Sequence, residues 1–242
     1  MQEFGVSIPV GFGQREGMGQ VAGERVQCIR SKHRVEKFGE VFTPIDFVND
    51  VLGEVRTVID LEKAQVLDLA CGTGNFAVQI LRKKLESIVE NDSLEKRQRE
   101  ELGLEALMSI YGLELLADNV LKCRDRLLED FVTCLELTES DEVTQAGKFV
   151  LMQNIVQADV LKMCDSEKSP IILSKWVYMD GIYIQREHQL IANQVDAYKT
   201  KRELGSKCHL QFKQCGSVKF LRMQDLAQLF NGPFSVGGRY EL

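Results

Sequence analysis

Val66-Leu67-Asp68-Leu69-Ala70-Cys71-Gly72-Thr73-Gly74-Asn75-Phe76 decides how this chain folds. Val66 and Leu67 are a short apolar run that Asp68 closes, and Gly72 and Gly74 permit backbone geometry that a Cβ forbids. From Ala77 onward apolar residues return at helical spacing. A buried strand therefore runs into a glycine-cornered turn and then a helix, the build of a nucleotide-type cofactor site, with the cofactor against the glycines.

Two cofactor classes use such a turn, and the surrounding residues separate them. Gly72-x-Gly74-x-x-Ala77 formally matches the dinucleotide fingerprint, which also wants an acidic residue about 20 positions on, ending a second strand. Here that stretch is Glu90-Asn91-Asp92-Ser93-Leu94-Glu95-Lys96-Arg97-Gln98-Arg99, a solvated charge run. The next strand signal is Ser109-Ile110-Tyr111-Gly112-Leu113-Glu114-Leu115, with Glu114 near its end. Asp68 is no part of the dinucleotide pattern either. Asp68-x-Ala70-Cys71-Gly72-x-Gly74-x-Phe76 instead resembles motif I of the S-adenosylmethionine-dependent methyltransferases, most closely the N6-adenine DNA enzymes of restriction-modification systems. A glycine corner without a ligand is the plainer alternative.

The resemblance extends on both sides of the turn. Upstream, Phe38-Gly39-Glu40-Val41-Phe42-Thr43-Pro44 looks like the family's motif X, whose Thr-Pro turn meets the methionine end of the cofactor. Pro44 can open a helix, with Thr43 as N-cap and residues 45–58 as an amphipathic helix turning Phe47, Val48, Val51, Leu52 and Val55 inward. Downstream, Tyr111-Gly112-Leu113-Glu114-Leu115 is similar to motif II, where the acid accepts the ribose hydroxyls. Asn154-Ile155-Val156-Gln157-Ala158-Asp159-Val160-Leu161 is similar to motif III, where the Asp accepts from the adenine amino group. The ordered motifs cover residues 38–161, the cofactor half.

The resemblance implies an α/β, Rossmann-like methyltransferase fold and S-adenosylmethionine as cofactor. Adenosine presents hydroxyl and amine donors, which suits the carboxylates of Glu114 and Asp159. The methionine carboxylate suits backbone N–H groups at the helix start around Gly72, Gly74, Asn75 and Phe76. Thr43, Pro44 and Ala70 complete the cofactor-binding candidates. Asp68 reads as ordering the glycine loop through its N–H groups, and Phe76 as core or a pocket wall. The alternative for Glu114 is an exposed strand-end charge, and for Asp159 a turn Asp ending a strand. Cys71 has no evident His partner and reads as a small apolar residue beneath the loop.

Length and composition fit one sizeable globular domain, or one with a small appendage: 242 residues, 44% hydrophobic and 27% charged. No apolar run approaches a membrane span, and the N-terminus lacks the apolar core of a signal peptide. Seven cysteines, an odd number without metal-ligand spacing, predict reduced thiols and a cytoplasmic protein. The net charge of −6 argues against indiscriminate nucleic-acid binding, but it is uneven: +4 over residues 25–37, −7 over 103–168 and +5 over 186–222. Basic ends around an acidic middle fit a protein that meets a phosphate backbone, so DNA is an expected partner, with solvated helix faces as the alternative.

The chain divides into a glycine-rich N-terminal arm (1–37), a cofactor domain (38–165) and a hairpin-containing C-terminal region (166–242). Helices are expected at 76–89, 94–108 and 117–131, the second with Leu94, Leu102, Leu104 and Leu107 inward. A polar connection follows at 138–147, and 149–156 leads into the third strand. Asp180-Gly181, between two apolar runs, predicts a hairpin. Helix is expected again at 190–204, a strand at 209–212 or 218–221, and a short helix at 223–230.

The acceptor half reads differently. Family members that methylate adenine N6 carry an Asn/Asp/Ser-Pro-Pro-aromatic motif after a fourth parallel strand, to hold a flipped base. That tetrapeptide is absent. Asn231-Gly232-Pro233-Phe234 keeps only the Asn and the ring, making Asn231 and Phe234 the nearest catalytic candidates; Ser169-Pro170-Ile171 is poorer. The 83 residues after Asp159 are few for four more strands with their helices. Three functions stay open: a DNA adenine methyltransferase, completed by these residues or by a partner subunit; a truncated or silent relative that binds cofactor, DNA or a partner; and a methyltransferase for RNA or a small molecule.

Overall fold

The computed structural model describes residues 6–8, 31–192 and 210–230. In chain order the elements are β1 (Val6–Ile8), α1 (Lys32–Phe38), α2 (Ile45–Val55), β2 (Val66–Asp68), α3 (Asn75–Val89), α4 (Lys96–Met108), β3 (Ile110–Glu114), α5 (Ala117–Cys134), α6 (Glu142–Asn154), β4 (Ile155–Asp159), β5 (Cys164–Asp165), β6 (Ile172–Met179), β7 (Ile182–Ala192), β8 (Leu210–Leu221) and α7 (Met223–Gln228). The fold is mixed α/β. One sheet runs β1-β2-β3-β4-β5, its first four strands parallel and β5 antiparallel; a second, antiparallel sheet runs β6-β7-β8.

Burial explains the parallel sheet. Every residue of β2 and β3 is buried, as expected of strands covered on both faces. The register pairs Asp68 with Gly112 and Glu114 with Gln157, so β2, β3 and β4 end at one edge. That shared carboxyl edge carries Asp68, Glu114 and Asp159. Around the sheet, α3 packs on α5 and α4 on α6. Leu81, Leu85, Leu107, Leu127, Phe131 and Phe149 form the heart of the core.

The second sheet closes through neutral polar contacts as well as apolar ones. β6 packs on α4 and α6, where the Trp176 ring meets Phe149 edge-on at 6.3 Å and its indole N–H donates to Asn154 Oδ1 at 2.9 Å. Trp176 is 5% exposed, a packing residue between β6 and α6. The Asp180-Gly181 turn holds both residues at positive φ (49° and 81°), the two-residue hairpin geometry the sequence predicts.

Several local expectations are corrected. Pro44, not Thr43, is the N-cap of α2, and no side chain caps that helix. The helix ends at Val55, and only Val48 and Leu52, four residues apart, are fully buried; Phe47 faces outward at 40% exposure. Residues 142–154 are α6 rather than a polar link running into a strand. α4 begins at Lys96, where Glu95 and Gln98 form a capping box, leaving Leu94 outside the helix. Leu190 to Ala192 continue β7, because each pairs with β8 instead of starting a helix. Residues 210–221 form one strand, whose pairing with β7 shifts register between Arg186 and His188. Val6–Ile8, inside the expected arm, is a parallel strand beside β2. Among the described residues no helix is long and apolar enough to cross a membrane.

Candidate cofactor-type site

A cavity of about 510 Å³ opens at the carboxyl edge of β2, β3 and β4. Thr43, Asp68, Ala70, Gly72, Asn75, Phe76, Glu114 and Asp159 all line it, together with residues 38–42 of the upstream motif. Pro44 and Gly74 lie outside the lining, where they open α2 and α3. Asn231 and Phe234 fall outside the described residues.

The glycine loop is shaped by contacts that only glycine tolerates. Gly72 sits at φ 54° and Gly74 at φ 86°, and a Cβ on Gly74 would lie 2.6 Å from Cys123 Sγ. Gly112 of β3 is equally constrained, since a Cβ there would be 2.8 Å from Cys71 Sγ. Cys71 is thus packed beneath the loop, against β3. Beyond the loop, α3 begins at Gly74 without a side-chain cap, so its first-turn N–H groups belong to a helix end with no competing acceptor of its own.

Two carboxylates order that loop. Asp68 Oδ1 accepts the Ala70 N–H at 3.1 Å, as its position in the sequence predicts. Glu114 does as much: Oε2 accepts the Gly72 N–H at 2.9 Å and Oε1 the Leu116 N–H at 2.8 Å. It is 8% exposed, and its lone pairs are shared between the protein's own loop and the cavity. Asp68 is 9% exposed, and burial pushes its carboxyl up to about 6, against the Ala70 N–H and with help from the Glu114 charge.

Asp159 is placed differently. Its Oδ2 pairs with Lys162 Nζ at 2.7 Å and its Oδ1 accepts the Lys162 N–H at 3.1 Å, which holds its carboxyl below the usual carboxylate range. Lys162 has a side chain 77% exposed, so it can swing away without leaving a buried charge behind.

Further residues belong to the site without any signal in the motifs. Arg126 of α5 donates to Thr73 O at 2.6 Å and to Asn75 Oδ1 at 2.8 Å, and Asn75 Nδ2 donates to Thr43 O at 2.7 Å. The loop, the upstream motif and α5 are therefore pinned together. Asn119, 1% exposed, lines the same cavity. These contacts join residues 32 to 53 positions apart in sequence, beyond the reach of local pattern.

No protein-family model, curated protein or solved structure matches this chain.

Proposed function

We propose that the chain is an S-adenosylmethionine-dependent DNA methyltransferase acting on adenine N6, with residues 38–165 as its Rossmann-like cofactor half. One observation carries this. Asp68, Glu114 and Asp159, the acids of three separately read motifs, end three adjacent parallel strands and line one cavity with residues 38–43. Its volume lies within the range of small-molecule sites. The donor set also suits the ligand: carboxylates for ribose hydroxyls and an exocyclic amine, uncapped N–H groups at α3 for a carboxylate. S-adenosylmethionine supplies an electrophilic sulfonium methyl. The chain's own residues bind and orient it: Glu114 and Asp159 the adenosine, the α3 start the amino-acid end.

A second reading, a silent relative that binds cofactor, DNA or a partner subunit, is favoured by the topology after β4. The next strand, β5, is antiparallel, and the chain then leaves for a separate antiparallel sheet. Among the described residues no parallel strand follows β4 to carry an acceptor motif.

Calorimetry with S-adenosylmethionine tests the cofactor reading. Heat with the wild type, and binding weakened about ten-fold in Asp159→Ala, are the expected results, the scale set by one charge-assisted hydrogen bond of roughly 1.5 kcal/mol or more. No heat with the wild type, or equal affinity in the variant, sinks the assignment. Labelled methyl transfer to unmethylated duplex DNA then separates the readings: transfer selects the enzyme, binding without transfer the silent relative.

A further inference from the structure

A chain of polar contacts runs from α1 on the surface to the glycine loop. Arg34 grips Glu40 with Nε on Oε2 at 2.6 Å and Nη2 on Oε1 at 2.7 Å, a two-pronged contact of fixed geometry. The same guanidinium reaches Asp118 in the first turn of α5 at 3.0 Å. Glu40 Oε1 accepts from Asn119 Nδ2 at 2.7 Å, and that amide also faces Glu114 Oε1 at 3.4 Å. Glu114 in turn holds the Gly72 and Leu116 N–H groups. Both neighbours of the Asn119 amide group are carboxylate oxygens, so its orientation is fixed with the nitrogen between them.

The arrangement answers an electrostatic difficulty. Glu40 and Glu114 are 9% and 8% exposed, and two carboxylates that close repel unless a donor stands between them and a cation offsets one. Asn119 is that donor, and Arg34 is a cation on Glu40. Neither touches the glycine loop.

We propose that Arg34, Glu40 and Asn119 form a positioning relay that ties the seat of α1 to the shape of the glycine loop. Removing Arg34 takes away the two-pronged contact that seats Glu40, which loosens the Asn119 bridge and, through it, the hold of Glu114 on the loop's N–H groups. α1 also carries exposed Lys32 and Lys37, so contacts made by this helix act on the cavity through Arg34.

Amide hydrogen exchange on the ligand-free protein tests the relay directly. In Arg34→Gln the Gly72 and Leu116 amides should exchange about ten-fold faster, although neither touches Arg34, while amides of β6 and β7 keep their rates. Arg34→Lys, which keeps the charge but not the fork, should fall between. Asn119→Leu should reproduce the loop effect without disturbing the Arg34–Glu40 pair. Unchanged Gly72 and Leu116 rates in Arg34→Gln, or equal acceleration of every amide, would overturn the relay. The S-adenosylmethionine reading enters only a second measurement, in which Arg34→Gln weakens binding about ten-fold. If the wild type binds none, that reading fails while exchange still decides the relay.

Discussion

The carboxyl edge of the parallel sheet and the seam under the second sheet both bury polar groups, but in opposite ways. At the edge, Glu40, Asp68 and Glu114 crowd acids of one sign around a cavity and rely on backbone N–H groups, Asn119 and Arg34 for relief. At the seam, neutral groups pair: Trp176 of β6 donates to Asn154 of α6, and within the second sheet itself Gln185 donates to Ser174 at 2.7 Å. Like charges held near one another are costly to keep and useful to a ligand with donors; the neutral Trp176–Asn154 pair simply locks two layers. The edge should therefore govern binding and pH response, and the seam stability.

The largest test of that division is Asn154→Leu. Asn154 is fully buried, accepts from Trp176 and donates toward the Leu107, Met108 and Ile110 carbonyls at 3.1 to 3.4 Å. The substitution strands an indole N–H and several carbonyls, and should lower unfolding free energy by about 4 kcal/mol. Urea denaturation followed by Trp176 fluorescence measures it; a loss below about 1 kcal/mol would show that the seam is not a lock.

Next in size is a pH effect confined to the edge. The Asp68 carboxyl is pushed from 3.8 to about 6 by burial, so between those values the folded protein holds a proton that the unfolded chain releases. Stability contributed by this group therefore falls as pH rises through that window, by about 3 kcal/mol in all, and is level above it. Asp68→Asn should flatten the slope. An unchanged pH profile would place the titration elsewhere.

Gly74→Ala follows. It meets Cys123 Sγ and forces φ 86° on a residue with a Cβ, at a cost of about 2 kcal/mol and with weakened binding in the cavity. Adding Cys123→Ala should relieve the clash and leave roughly 1 kcal/mol of backbone strain. Full recovery in the double variant would mean that the positive φ itself costs nothing.

What the sequence made legible follows the same line between local and distant causes. The β2 turn into α3, the strands ending at Glu114 and Asp159, and the Asp180-Gly181 hairpin each announce themselves within a dozen residues. α6 did not, because Val143, Ala146, Phe149, Val150, Leu151 and Met152 are buried around nearly its whole circumference. A helix without a solvent face shows no amphipathic stripe and resembles an approach to a strand. The end of β7 was hidden because Leu190–Ala192 are extended only by pairing with β8. In the site, acids at strand ends were readable from motif order. Arg126, Asn119 and the loop-ordering role of Glu114 were not, since each depends on a contact made only after folding.

The smallest effect gives the finest division between the two regions. Tyr178 on β6 donates its hydroxyl to Glu101 Oε2 of α4 at 2.8 Å, one bond across the seam. The ring stays packed at 4.9 Å from Tyr183 whether or not the hydroxyl is present. Tyr178→Phe should thus remove about 1 kcal/mol of stability and nothing else. Ligand affinity at the carboxyl edge and the exchange rate of the Gly72 amide should match the wild type. A change in either, from one hydroxyl at the seam, would mean that the two regions move as one cooperative unit and that burial of charge and burial of neutral pairs cannot be assigned to separate tasks.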